Sequence, residues 1–223
     1  MSSKLVIDSK SLLNFLKMSI KEQETFYGPV FSRMVAEYAA EYEAKKTGDP
    51  SPPKVENIDQ CINYLLQNTG KYQDGYSSIV YGIAKTEKKL EGGIGSGART
   101  SAKDAMKRLA EKIGTATLYG KVNGTTDAWK KHLEFATMTH TKVEDITVTG
   151  DENSALAKTS ECHFSDACKA MAQEGLHTVS GKTECVVCKS DSAILEVITK
   201  CPHDYELLEF NPPKCTFRVF KVQ

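Results

Sequence analysis

The chain has 223 residues, with 29 basic and 29 acidic side chains, and so no formal net charge. A neutral chain with a single tryptophan offers no basic face for a phosphate backbone, so nucleic acid is not an expected partner. No apolar run approaches the ~20 residues of a bilayer span, and Asp8 and Lys10 interrupt the N-terminus where a signal peptide needs an unbroken apolar stretch; a cytoplasmic protein with no membrane span is expected.

Residues 9–46 read as helix. Leu12, Leu13, Leu16 and Ile20 recur at three- and four-residue spacing, and Val30, Met34, Tyr38 and Tyr42 repeat every fourth residue, which marks the predicted apolar faces. Pro29 begins or kinks the second of these helices. The breaker run TGDPSPP (47–53) ends it, and a helix follows over 54–68 with Val55, Ile58, Ile62 and Leu65 apolar. Within 74–91, Ile79, Ile83 and Leu90 share a helical face, and SSIVYGI also fits a buried strand; the helix-forming KTEKKLE decides for helix. GGIGSG (92–97) departs from both the P-loop and the dinucleotide-loop patterns and reads as a tight helix-to-helix connection. Arg99 and the helix start beside it are the anion-binding alternative there. Helices follow from Thr100 to Lys112 and over 126–138.

The pattern changes near residue 141. KVEDITVTG (142–150) reads as a strand, DEN (151–153) as a turn and ALAKTSECHF (155–164) as the returning strand. A short helix over 165–175 and a longer one over 181–199 precede a closing hairpin, 205–210 with 214–222. The expected fold class is α+β: a helical N-terminal half packed on a mostly antiparallel sheet built from C-terminal hairpins. Residues 1–70 are expected to form a helical extension and 71–223 the main domain.

Six of the seven cysteines follow residue 160. In a reducing compartment clustered thiols point to metal or redox chemistry, while the bland alternative is that they are small buried hydrophobes. Cys185 and Cys188 form a CxxC on one helical face, and with Cys201 and Cys215 they supply four thiolates for a tetrahedral zinc ion. His203 is a substitute ligand. An iron–sulfur cluster would use the same thiolates, but its usual spacings are absent. Cys162 beside His163 suggests a nucleophile, although neighbours on a strand face opposite ways. Cys188 and Asp191, one helical turn apart, are a thiol–carboxylate pair able to hold a polar substrate or activate water.

The runs AKTSECHFSDACKAMAQEG and ECVVCKSDSAILEVITKC, with the terminal KCTFRVFKV and its Cys215-Thr-Phe217 motif, resemble the 4-vinyl reductase domain and the related L-2-amino-thiazoline-4-carboxylic acid hydrolase-like family over roughly residues 75–223. Asn211-Pro-Pro-Lys214 stands where the reductase pattern has Gly-Asp, and Cys162-His163 where the hydrolase-like pattern has Cys-Pro. The resemblance implies a small-molecule-binding fold with an enclosed apolar pocket for an apolar or tetrapyrrole-like ligand, and Cys188, Cys201 and Cys215 as metal or structural thiols. Its hydrolase-like side implies action on a small cyclic amide or thiazoline, with Cys188, Asp191 or Cys162 taking part. A further resemblance to vesicle-tethering subunits implies a homodimer formed through the N-terminal helices, and with it an assembly role.

Overall fold

The computed structural model describes residues 9–51, 53–67, 75–94, 97–135, 146–160, 162, 164–176 and 185–223. The chain divides into two units, Ile7–Ala102 and Lys103–Gln223. The first holds α1 (Ser9–Tyr27), α2 (Pro29–Thr47), α3 (Ile58–Gln67), α4 (Gly75–Ile94) and the start of α5 (Gly97–Lys112). The boundary therefore falls within α5, later than residue 70, because α4 packs along α2 and belongs with the helices before it.

Gly28 separates α1 from α2. At φ 71° it takes a backbone conformation that other residues resist, and Pro29 starts α2 where a missing N–H costs nothing. The buried face of α2 is Phe31, Val35, Ala36, Ala39, Ala40 and Ala44, one position away from the expected Val30–Met34–Tyr38–Tyr42 row. The reason lies opposite, at Gly82 of α4. A Cβ on Gly82 would sit 2.4 Å from the Val35 carbonyl oxygen, so the two backbones meet where only small side chains fit. The tyrosines line the rim instead. Tyr42 stacks on Tyr81 at 4.5 Å, and the Lys85 ammonium lies 5.0 Å from the Tyr38 ring. Further along the same seam the Ser78 hydroxyl donates to the buried Glu43 carboxylate. Burial, and then the charge of Glu43, pushes the Cys61 thiol up to about 12.

The second unit continues α5 and adds α6 (Thr115–Leu118), α7 (Thr125–Phe135), β1 (Ile146–Gly150), β2 (Ser154–Thr159), α8 (Ser165–Gln173), α9 (Val186–Thr199), β3 (His203–Asn211) and β4 (Lys214–Lys221). The four strands form one antiparallel sheet in the order β1-β2-β4-β3. Ala155 and Ala157 of β2, Tyr205 and Leu207 of β3, and Phe217 and Val219 of β4 are buried in register along the sheet. Trp129 of α7 packs on Phe217 at a ring distance of 5.3 Å. The α+β fold class is the one expected, with helices mostly N-terminal and strands C-terminal. The returning strand ends at Thr159, before Cys162, and residues 142–145 and His163 lie outside the described residues. No helix among the described residues is long and apolar enough to cross a membrane.

The junction between α9 and β3 fixes the direction of α9. Glu196 accepts from the His203 backbone N–H at 2.9 Å and pairs with Lys103 and Lys107 of α5. His203 is fully buried, with Nδ1–H donating to the Cys201 carbonyl at 2.8 Å and Nε2 2.9 Å from the Thr125 hydroxyl. Burial holds its pKa below the ordinary imidazole value, so the ring is kept neutral as a clamp between α7 and β3.

Gly82→Ala is expected to lower stability by about 1–3 kcal/mol through overpacking against the α2 backbone. Urea denaturation monitored by circular dichroism measures this, and an unchanged midpoint would show that the seam yields freely.

Candidate thiol centre

α9 begins with a sulfur as its cap. Cys185, at φ −66° and ψ 106°, is the N-cap residue, and its Sγ accepts the backbone N–H of Cys188 at 3.4 Å. Sulfur here takes the place that Ser, Thr or Asp oxygen usually fills at a helix start. The Cys188 thiol donates to the same sulfur, and Lys189 lies in the same first turn with its side chain 1% exposed. These contacts act in one direction. The Cys188 thiol, the amides of Cys188 and Val187, and the Lys189 ammonium together pull the Cys185 thiol below its ordinary value despite burial.

The surrounding thiols go the other way. Burial pushes Cys162, just beyond β2, up to about 12, with the charges of Cys185, Cys215 and Asp191 adding to the rise. Cys215 on β4 is paired across the sheet with Thr159 and is likewise pushed to about 12 by burial and then by Cys185. Cys168 of α8 and Cys188 are raised well above the ordinary thiol by burial, Cys168 further by the charge of Cys162 and Cys188 by its bond to Cys185. Five sulfurs, from α8, α9 and its cap, β4 and the segment after β2, thus feel one another's charge, and Cys185 alone among them is drawn toward thiolate.

Asp191, two residues after Lys189, is 2% exposed, and burial followed by the Cys185 charge lifts it to about 8. Its Oδ2 has no hydrogen-bond partner, and its Oδ1 is 3.9 Å from His132 Nε2. The Trp129 indole N–H turns toward this carboxyl without closing a full hydrogen bond. Behind His132, Nδ1 lies 3.1 Å from the Tyr119 hydroxyl, which burial raises to about 12 and keeps protonated. A protonated Tyr119 is able to donate to Nδ1, and in that tautomer Nε2–H faces Asp191. An open cleft of about 440 Å³ reaches Cys215 between Thr147, Lys158, Glu209, Lys214 and Thr216. Thr, Lys, Glu and Asn side chains line it, and the Thr216 hydroxyl donates to Glu209 at 2.8 Å.

Of the four cysteines expected to share a zinc ion, Cys185, Cys188 and Cys215 fall in this cluster and Cys201 does not. Cys201 follows the far end of α9, so at 1.5 Å of rise per residue it stands on the order of 20 Å from Cys188. His203 spends both ring nitrogens on Thr125 and Cys201. Among the described residues, no three Cys, His, Asp or Glu side chains close on one point as a tetrahedral ion requires. Cys201 therefore stands apart from the other three thiols expected to hold one ion. The residues proposed for chemistry, Cys162, Cys188 and Asp191, are brought together. Cys185 enters as the most acidic thiol, and Lys189, His132 and Tyr119 join from positions that no short motif marks.

No protein-family model, no curated protein and no solved structure matches the chain.

Two outcomes follow. Iodoacetamide at pH 7 is expected to label Cys185 ahead of Cys162, Cys168, Cys188 and Cys215, and Lys189→Gln should shift the pH midpoint of that labelling upward, read by peptide mass mapping. Asp191 has its folded pKa raised from 3.8 to about 8, so the stability it contributes is present below about pH 4 and lost as pH rises through 8. Asp191→Asn should flatten that decline in urea titrations at pH 5 and pH 8; parallel losses in both proteins would remove Asp191 as the cause.

Proposed function

We propose that the chain is a cytoplasmic small-molecule-binding protein whose second unit is a thiol hydrolase, acting on a small cyclic amide or thiazoline, as the hydrolase-like resemblance implies. The observation that carries this reading is the pairing of opposites at the start of α9: a thiol drawn toward thiolate beside a buried carboxyl lifted to about 8. The first is a nucleophile, and the second is an acid that still holds its proton at neutral pH. The cleft at Cys215 has the size of a small ligand, and its Thr, Lys, Glu and Asn side chains offer hydrogen bonds to an amide-like one.

In this reading the Cys185 sulfur bonds to the electrophilic carbon, the carbon–nitrogen bond breaks, and the leaving nitrogen takes the proton of Asp191. Water then cleaves the thioester left by an amide, or the dithiocarbonimidate left by a 2-aminothiazoline, and the proton released returns to Asp191 as the thiolate re-forms. The Lys189 cation and the N-terminal amides of α9 hold the negative charge on sulfur before attack and after release. His132, oriented by Tyr119, presents its Nε2–H toward Asp191 and positions the carboxyl.

The test is turnover of 2-amino-thiazoline-4-carboxylate and a panel of small cyclic amides by the full chain, with native mass spectrometry of the protein. Hydrolysis that falls at least ~100-fold in Cys185→Ser and about 100-fold in Asp191→Asn is expected, with the folded mass and circular dichroism retained. Turnover unaffected by Cys185→Ser, or a stoichiometric metal ion carried by the native protein, would overturn the reading.

A further inference from the structure

We infer that Cys185 and Cys188 form a dithiol–disulfide pair through which a hydroperoxide switches the thiol centre off. The inference rests on the reading that Cys185 is the reactive thiol of the site. Its geometry is local to one helical turn. The extended ψ of the cap residue swings the Cys185 sulfur back over the helix start, where it takes the Cys188 amide at 3.4 Å and the Cys188 thiol together. The two sulfurs are therefore already neighbours, and joining them requires side-chain rotation within the first turn. Cys162, Cys168 and Cys215 arrive from separate elements and have no such shared cap.

The chemistry balances with the peroxide alone. The Cys185 thiolate attacks one peroxide oxygen, the oxygen–oxygen bond breaks, and the departing hydroxide takes a proton to leave as water. Cys185 is then a sulfenic acid. The Cys188 sulfur attacks it, the sulfur–oxygen bond breaks, and the hydroxyl leaves as the second water with the Cys188 thiol proton. Two thiols and one hydrogen peroxide become one disulfide and two waters. The product keeps the helix but holds no thiolate at its cap, so the nucleophile is gone until a thiol reductant restores it. The buried Asp191 beside the pair, with Oδ2 unpartnered, is then relieved of a neighbouring negative charge. The switch therefore alters the charge of the site as well as its nucleophile.

The experiment uses the full chain, reduced and then exposed to one equivalent of hydrogen peroxide at pH 7, alkylated with iodoacetamide and digested with trypsin. Cys185 and Cys188 share the single tryptic peptide Thr183–Lys189. That peptide should appear unalkylated and about 2 Da lighter than the dithiol form, and dithiothreitol should return it to the doubly alkylated form. In Cys188→Ser, Cys185 should stop as a sulfenic acid that dimedone captures. A wild-type peptide that stays dithiol, that proceeds to sulfinic acid at Cys185, or that is found joined to Cys162 or Cys215 would overturn the switch. Rapid iodoacetamide labelling of Cys185 without the internal disulfide removes the switch and leaves the thiol centre standing, whereas loss of both removes the reading on which it rests.

Discussion

The amide N–H of Cys188 points at the sulfur of Cys185, and the electrostatics of the thiol cluster are organised around that contact. A helix start carries unpaired N–H groups and the positive end of the backbone dipole. Placing sulfur rather than oxygen in the cap position turns that unspent polarity toward stabilising a thiolate. The neighbouring Lys189 could have lain in solvent; its burial makes its charge act over a weakly screened distance. The remaining thiols of the cluster are raised first by burial and then by that negative charge, and stay protonated.

For that contact to face the cluster, α9 must be aimed, and its other end does this. Glu196, tied to Lys103, Lys107 and the His203 amide, fixes where α9 stops and β3 begins. β3 then returns beside α9, and its hairpin with β4 carries Cys215 back to the helix start. The two ends of one helix thus divide the work: the C-terminal end is a closed structural joint, and the N-terminal end is a concentrated, chemically unbalanced site. Cys201 and His203 lie at the joint, which is why they do not join the thiols near them in sequence.

Much of this was readable from the sequence wherever a single element decides the outcome. Alternation of apolar residues after 146 marks the hairpins, and KTEKKLE marks α4 as helix. The buried side of α2 was not readable, because its tyrosines repeat with helical period yet line a rim, while alanines face Gly82 from another helix. The site divides in the same manner. A CxxC leading into an apolar helix is a local signal, and Asp191 one turn on is local too. That Cys201 stands a 14-residue helix away in space follows only from where α9 begins and ends. Tyr119, at the end of α6, and His132 of α7 reach the site through the packing of α6 and α7 beside α9, and the sequence holds no spacing that announces it.

The opposed shifts at Cys185 and Asp191 have a consequence for what folding does to this protein's charge. In the unfolded chain at neutral pH the aspartate is the anion and the cysteine is neutral. In the folded chain the carboxyl holds a proton to about pH 8, and the sulfur is drawn toward giving its own away. The fold therefore acts in opposite directions on the pair, holding the proton on hard oxygen and drawing it from soft, polarisable sulfur.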